Sequence, residues 1–232
     1  GYGITRLLDR VDYDGFARHP RPVIGYSDIT ALHLALHRRT GVVTFHGPVA
    51  RAAMPEFTRR HFERVLTVPK AAGRLEPLPQ ATGALVPQRD RVVSLAGGVA
   101  EGPLIGGNLS LLQCLLGTEL WPSLDGPVLF LEDLGEEVSR IDRMLAHLRL
   151  AGALEGLAGI ALGRFTEVGR RGADGALGLE EVFSTYLEPL GVPIVSGFPF
   201  GHIEDQWTLP IGVRARLDGD ACTLDLLGPA VR

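Results

Sequence analysis

The sequence predicts an α/β protein, in which short buried strands alternate with amphipathic helices. Continuous apolar runs such as 128–131 have the length of buried strands and end at glycine, proline or acidic residues. Helical spacing of apolar residues follows several of these runs, as it does over 139–150. The alternation of the two patterns along the chain is typical of a sheet covered by helices.

Residues 1–66 are predicted to form a first domain. The helix at 28–39 is its best-defined element, with Ile29, Leu32 and Leu36 on one face and Thr40-Gly41 at its end. The predicted elements, in order, are a helical segment at 4–11, a strand at 22–25, the helix at 28–39, a strand at 42–45 and a helix at 55–66.

Residues 67–103 are predicted to link this domain to a second one at 104–232. Prolines and glycines interrupt every periodic pattern in the linker, and only 91–95 has the pattern of a strand. The second domain is predicted to contain a glycine turn and a helix within 104–116, strands at 128–131, 159–163 and 192–195, helices at 139–150 and 179–190, and a C-terminal hairpin formed by 213–217 and 222–227.

The composition argues against several classes of protein. The 232-residue chain has a net charge of −4, so no basic surface for nucleic acid or an anionic membrane is expected. Its longest uncharged segment, 102–118, is too polar to span a bilayer. Cys114 and Cys222 are too few for a disulfide framework and lack partners at metal-ligand spacing. Reduced, buried thiols in a cytoplasmic protein are therefore expected.

Three polar residues of complementary chemistry come shortly after predicted strands. They are Ser27, Glu132 and His202, and the glycine-rich segment 197–201 is expected to be the loop that carries His202. Functional groups of open α/β sheets gather beyond the carboxyl ends of the strands, and these residue types can form a catalytic triad. Two interpretations of Ser27 remain open, because a serine between strand and helix can be a nucleophile or simply a helix cap.

The choice of carboxylate is less certain from the sequence. Glu132 and Asp133 are adjacent at a strand end, so their side chains point to opposite faces and only one can reach the histidine. Glu136 and Glu137 lie in the next loop and are expected to be charges at the start of the following helix.

The other histidines are predicted to be structural. His33 and His37 have the spacing of metal ligands on a helix, but Leu34 stands where the zinc-protease pattern needs glutamate, so a solvated helix face is favoured. His46 follows a strand and is expected to pack or to support a nearby site. His61 lies among charges and is expected at the surface.

Five segments together resemble the LD-carboxypeptidases, the serine peptidase family that also contains the microcin-immunity peptidases. The segments keep the family's order and approximate spacing, and the resemblance extends from Gly1 to the C-terminus. They are "GYSDITALHLAL", "HGP", "PLIGGNLSLLQCLLGT", "LFLEDLGEEVSRIDRML" and "GFPFGH" followed by "TLPIGVRARLD".

The resemblance implies a Rossmann-like N-terminal domain and a mixed, β-barrel-like C-terminal domain. Family members are typically homodimers without metal or cofactor, and they release the terminal D-alanine from recycled murein tetrapeptides. The family has a further strand and helix ahead of the "GYG" with which this chain opens, so a preceding segment is expected.

Carried over residue by residue, the resemblance also implies catalytic roles. Ser27 is the nucleophile, His202 is the general base and Glu132 orients the imidazole. The backbone N–H of Asp28 is one oxyanion donor, and the N–H of Gly1 in the glycine-rich turn is the second. A microcin-immunity-type amide hydrolase with the same triad, or a non-catalytic ligand-binding relative, is the alternative function.

Overall fold

Two β-sheets with helices packed around them make up the described part of the chain. The computed structural model describes residues 2–49, 54–79, 91–169 and 178–232. The helices are α1 (Tyr13–Arg18), α2 (Thr30–Thr40), α3 (Glu56–Leu66), α4 (Leu109–Cys114), α5 (Val138–Leu150) and α6 (Leu179–Leu187). Short 3-10 turns lie at Ile4–Arg6, Leu8–Arg10, Ser27–Ile29 and Glu188–Leu190. The strands are β1 (Ile24–Gly25), β2 (Thr44–His46), β3 (Gly73–Arg74), β4 (Val93–Ala96), β5 (Val99–Asn108), β6 (Val128–Leu134), β7 (Gly159–Thr166), β8 (Ile194–Gly201), β9 (Leu209–Ile211), β10 (Arg214–Asp218) and β11 (Thr223–Leu226).

The first sheet has three strands in the order β1-β2-β9. β1 and β2 are parallel, with Ile24 opposite Phe45, whereas β9 runs antiparallel to β2. The carboxyl ends of β1 and β2 therefore lie side by side, and the residues that follow them share one edge of the sheet.

The second sheet has eight strands in the order β3-β11-β10-β5-β6-β7-β8-β4. Its centre, β5 to β8, is parallel, and its outer strands are antiparallel. The β4–β5 turn meets the β10–β11 turn, where Gly98 N–H donates to Asp220 at 3.1 Å and Gly219 N–H donates to the Gly98 carbonyl at 2.8 Å. The sheet thus curves back on itself, and the predicted α/β class with a barrel-like sheet is confirmed.

The parallel centre of the second sheet forms the main core. Strand residues such as Phe130 and Ile160 are fully buried, as are Ile141 and Leu145 on the inner face of α5. Burying a side chain of this size contributes roughly 1.5–3 kcal/mol. The core therefore holds the carboxyl ends of β6, β7 and β8 in fixed positions, which matters for the residues that follow.

Two segments that the sequence predicts to be a turn and a loop are instead the ends of strands. Close packing against neighbouring backbone explains both differences. The glycine turn expected near 104–108 is the end of β5, and the loop expected at 197–201 is the end of β8. A Cβ at Gly106 would lie 1.8 Å from the Phe130 carbonyl oxygen, and one at Gly197 would lie 2.1 Å from the Arg91 carbonyl oxygen. These glycines permit close approach of neighbouring backbone instead of forming turns.

Helix α2 joins the two sheets. It packs against β2 and β9 on one side and against β5 and α4 on the other. At its first residue, Thr30 Oγ1 accepts a hydrogen bond from the Asn108 backbone N–H at 3.0 Å. The start of α2 is thereby fixed to the carboxyl end of β5.

Strands from different predicted domains pair with each other in both sheets. The division of the chain into these domains stays a prediction. β9, from the second predicted domain, completes the first sheet. Segments 73–74, 93–96 and 99–103, within the predicted linker, belong to the second sheet. The two halves of the chain are therefore interleaved at the sheets.

Some surface predictions need correction too. Both thiols are free, but Cys114 is exposed and Cys222 is half-buried, so the expected burial is wrong. His61 is buried against Phe57 and not at the surface. Within the described ranges, none of the helices is both long and apolar enough to cross a membrane.

Candidate active site

Ser27 lies on a strained turn between β1 and α2. Tyr26 is fully extended, and Ser27 then adopts φ +69°, in the left-handed region that favours glycine. Holding a non-glycine residue there costs on the order of 1–3 kcal/mol and is a feature of functional turns. No side-chain hydrogen bond caps the Ser27–Ile29 turn or α2, so the helix-cap interpretation is not supported. The half-buried hydroxyl lies at the carboxyl edge of the first sheet.

Glu132 and His202 form a hydrogen-bonded pair at the carboxyl edge of the second sheet. His202 Nδ1 lies 2.7 Å from Glu132 Oε2. A carboxylate can only accept, so Nδ1 carries the proton and donates it, which leaves Nε2 free as a base. The side chain of His202 is 14% exposed, whereas that of Glu132 is fully buried. This arrangement can orient an imidazole and stabilise it when it gains a proton.

The carboxylate of Glu132 is tightly packed. A Cβ at Gly201 would lie 2.8 Å from Glu132 Oε2, so only glycine leaves room for the carboxylate. Glu132 Oε1 has no hydrogen-bond partner among the described residues. Burial raises the pKa of the Glu132 carboxyl, and the hydrogen bond and charge of His202 oppose this shift. The carboxylate therefore depends on His202 for stabilisation of its charge.

Asp133 has a different role, because it points to the opposite face of β6 as predicted. Its carboxylate accepts from Asn108 Nδ2 at 2.9 Å, from the Ser110 N–H at 3.0 Å and from the Ser110 hydroxyl at 2.8 Å. The Leu134 N–H donates to it as well, at 2.9 Å. Asp133 is thus occupied in fixing the start of α4 to the end of β6.

Aromatic rings connect the Ser27 turn to the histidine. The Tyr26 ring packs edge-on against the His202 ring, with 4.8 Å between centroids. His46, at the end of β2, is fully buried beneath Tyr26 and contacts Phe130 with 5.3 Å between ring centroids. Burial lowers the pKa of His46 to about 3, so its ring is neutral. His46 packs beside the site, as its sequence position indicated.

His33 is a second buried imidazole, and the prediction of a solvated face is wrong for it. Its side chain is completely buried, and Nε2–H donates to the Gly25 carbonyl at 3.0 Å. Burial lowers the pKa of His33 to about 4, against the effect of this hydrogen bond. His33 therefore supports the end of β1, two residues before Ser27. In the parts of the chain that are described, no three His, Cys, Asp or Glu residues are grouped to hold a metal ion.

The predicted site residues are thus partly assembled. Glu132 and His202 are in contact, and Ser27 adjoins them through Tyr26. Across the described ranges the Ser27 hydroxyl makes no hydrogen bond to His202, whose bonded ring nitrogen is paired with Glu132. The carboxylate of Asp28 accepts from a backbone N–H of the N-terminal segment. Gly1, the expected second oxyanion donor, lies outside the described residues.

Sequence reasoning missed two supports of the site. The sequence alone predicts no role for Tyr26, and it predicts a loop at Gly201. A large aromatic next to a candidate nucleophile could have indicated the first. The second depends on the approach of Glu132 from a neighbouring strand, which no local pattern reveals.

Two family models match the chain. The N-terminal domain of LD-carboxypeptidases matches residues 1–47, and the C-terminal domain matches residues 101–217. A probable murein peptide carboxypeptidase of Bacillus subtilis is 36% identical over 94% of this chain and 66% of its own length. The chain thus spans just under two thirds of that relative.

Solved structures agree with these matches. The muramoyltetrapeptide carboxypeptidase from Oxalobacter formigenes is 32% identical, with a TM-score of 0.79, over 97% of this chain and 75% of the other. The microcin C7 self-immunity protein MccF, in an inactive mutant form, is 27% identical, with a TM-score of 0.86, over 100% of this chain and 74% of the other. The chain therefore belongs to the LD-carboxypeptidase family.

Proposed function

We propose that this chain is a serine carboxypeptidase that releases the terminal D-alanine of murein tetrapeptides, with Ser27, His202 and Glu132 as its triad. The observation that carries the proposal is the buried 2.7 Å hydrogen bond between Glu132 and His202, next to the strained Ser27 turn. A base whose tautomer is fixed by a carboxylate, beside a half-buried hydroxyl, is the arrangement needed for acyl transfer.

The first half of the reaction transfers the acyl group to the enzyme. His202 Nε2 takes the Ser27 proton as Oγ attacks the carbonyl carbon of the L,D-peptide bond. The resulting oxyanion accepts hydrogen bonds from backbone N–H groups, of which that of Asp28 is one. Glu132 stabilises the imidazolium. His202 then gives the proton to the leaving amine, the C–N bond breaks and D-alanine departs.

The second half of the reaction regenerates the enzyme. A water molecule gives a proton to His202 Nε2 and attacks the ester carbonyl. When the second tetrahedral intermediate collapses, the C–O bond to Ser27 breaks and Oγ takes the proton back from His202. The products are a tripeptide acid and D-alanine, and the sum of the two halves is hydrolysis of one amide bond.

The choice of substrate follows the relatives. The Bacillus subtilis and Oxalobacter formigenes proteins are named for carboxypeptidase activity on murein or muramoyl peptides. Both are more than 30% identical to this chain over nearly all of its length. We therefore place the substrate in the class of cell-wall peptides that end in a D-amino acid.

The test is release of D-alanine from L-Ala-γ-D-Glu-meso-diaminopimelyl-D-Ala, together with labelling by a fluorophosphonate. The wild type, Ser27→Ala and Ser139→Ala should be compared, because Ser139 is an exposed serine at the start of α5. Release and labelling by the wild type and Ser139→Ala, but not by Ser27→Ala, are expected. Full activity of Ser27→Ala would refute the nucleophile assignment.

A second candidate function is hydrolysis of an acyl-sulfamoyl nucleotide. The structural similarity to MccF favours it, since one MccF structure holds aspartyl sulfamoyl adenosine. Cleavage of that compound, with no release of D-alanine from the tetrapeptide, would favour this function. Ligand binding without labelling of Ser27 would instead indicate a non-catalytic relative.

The proposal also includes a homodimer in the cytoplasm. The dimer rests on the family resemblance, and the location rests on the two free cysteines. Size-exclusion chromatography with light scattering tests the first. Fractionation of cells that express the protein from its native gene tests the second.

A further inference from the structure

We propose that the side chain of Asp28 is a positioning residue, which ties the nucleophile turn to the N-terminal segment and so aligns the Asp28 backbone N–H as an oxyanion donor. This inference rests on the proposed function, because it concerns the same acyl transfer. It differs from the role given above to Asp28, which involves only its backbone N–H.

The observation is a single hydrogen bond between distant parts of the chain. Asp28 Oδ2 accepts from the Ile4 backbone N–H at 2.9 Å, across 24 positions of sequence. The 3-10 turn at Ile4–Arg6 also packs against the Ser27–Ile29 turn. The Asp28 carboxylate thus links the Ser27–Ile29 turn to the first residue of the Ile4–Arg6 turn.

The other contacts of the segment before Ile4 are local: the Gly3 carbonyl accepts from the Arg6 N–H at 3.1 Å, and the Arg6 guanidinium lies 5.7 Å from the centre of the Tyr2 ring. Tyr2 is 86% exposed, so packing holds it weakly. Gly3 has φ +110°, and a Cβ there would meet no atom within 4 Å. Glycine is needed at that position for its backbone conformation, and it also leaves the segment with many alternative conformations. The bond to Asp28 reduces these conformations at the residue next to Gly3.

The consequence concerns catalysis more than folding. An oxyanion hole works because its donors already point at the place where charge develops. One donor, the Asp28 N–H, belongs to the nucleophile turn, and the Asp28 carboxylate holds the neighbouring 2–4 backbone beside it. When that bond is lost, the Asp28 N–H is held less firmly toward the developing oxyanion, which raises the barrier without changing the nucleophile or the base.

A matched control exists in the same part of the chain. Asp12 Oδ1 accepts from the Gly15 backbone N–H at 2.8 Å, at the start of α1. This bond has the same chemistry and nearly the same length, but it closes a local turn and does not involve the Ser27 turn. Asp12→Ala therefore measures what a carboxylate-to-backbone bond contributes to stability alone.

The experiment compares Asp28→Ala, Asp28→Asn and Asp12→Ala with the wild type. The readouts are the rate of Ser27 labelling by a fluorophosphonate, kcat and KM for D-alanine release, and the melting temperature. We expect Asp28→Ala to lower both the labelling rate and kcat by about 10- to 100-fold, with KM changed less than about threefold. Asp28→Asn should keep activity within about tenfold, because its amide oxygen still accepts.

The outcomes separate this inference from the proposed function. Normal labelling and kcat in Asp28→Ala would overturn the inference, and so would equal losses in Asp28→Asn and Asp28→Ala. Equal losses in Asp28→Ala and Asp12→Ala would also overturn it, by showing a purely structural effect. Labelling of Ser27 without release of D-alanine would refute the proposed substrate. The labelling rates of the Asp28 variants would then still test the inference about Asp28. A wild type that is not labelled at Ser27 would refute both proposals.

Discussion

Glu132→Gln is expected to remove most of the activity while leaving the protein as stable as before or more stable. Two unit charges 2.7 Å apart interact by about 6 kcal/mol at an effective dielectric constant of about 20. At about 1.36 kcal/mol for each tenfold change, this corresponds to a loss in kcat of roughly 10⁴-fold. The glutamine can still accept from Nδ1, but it cannot stabilise the imidazolium.

The free energy of unfolding of Glu132→Gln should rise, although the activity of this variant falls. Burial raises the pKa of Glu132, so its ionised form is disfavoured in the folded state and wild-type stability falls as pH rises through that pKa. A neutral glutamine avoids this cost at neutral pH, and its unpaired atom carries no full charge. We expect a gain of about 1 kcal/mol, which is a melting temperature higher by roughly 2–4 °C at pH 7. The difference should shrink toward pH 4.

Asp133→Asn is the matched control for this variant. Its carboxylate accepts four hydrogen bonds, so replacement should lower stability by about 1.5–3 kcal/mol and leave kcat within about tenfold. The assays are D-alanine release and thermal unfolding at pH 4 and pH 7. An active Glu132→Gln beside an inactive Asp133→Asn would refute the assignment of the orienting carboxylate.

Three further predictions follow from the geometry of the site and its supports. The pKa of His33 is lowered to about 4 and that of His46 to about 3, so the unfolded chain takes up these protons first as pH falls. Below about pH 6.5, stability should fall by about 1.4 kcal/mol per pH unit for each ring. Urea unfolding should show a shallower pH dependence in His46→Phe, and an unchanged slope would contradict the argument. Gly201→Ala should displace the buried carboxylate and lower kcat at least about 100-fold. Gly191→Ala, where φ is +68° but no atom lies within 4 Å, should cost only about 1 kcal/mol of stability and leave kcat unchanged. Ser27→Gly should melt above Ser27→Ala, by about 1 kcal/mol of stability, because glycine adopts φ +69° without strain; equal melting temperatures would argue against a strained turn.

The strand ends that carry the site could be predicted because their signal is local. Apolar runs before Ser27 and Glu132 identify buried strands, and the polar residue that follows each run lies at the carboxyl edge. Alternation along β6 was enough to predict that Glu132 and Asp133 face opposite ways. Which of the two carboxylates contacts His202 depends on the position of His202, and that is set by the pairing of β8 with β7.

The features that could not be predicted depend on contacts between distant residues. Gly106 resembles a turn residue locally, but its lack of a Cβ is needed because the Phe130 carbonyl lies against it. His33 has the pattern of a polar helix face, but its partner is the Gly25 carbonyl at the end of β1. Local propensity cannot report a partner on another element.

The interleaving of the two sheets has a consequence for synthesis of the protein. β9, at Leu209–Ile211, supplies the third strand of the sheet that carries the Ser27 turn. A nascent chain cannot complete that sheet until this late segment has left the ribosome, and pairing over so long a separation slows folding. A product truncated before residue 209 would expose the free edge of β2, which can pair with other chains. Any hydrolysis by Ser27 is therefore expected only after β9 has been made and has paired with β2, so a chain that stops before residue 209 should be inactive.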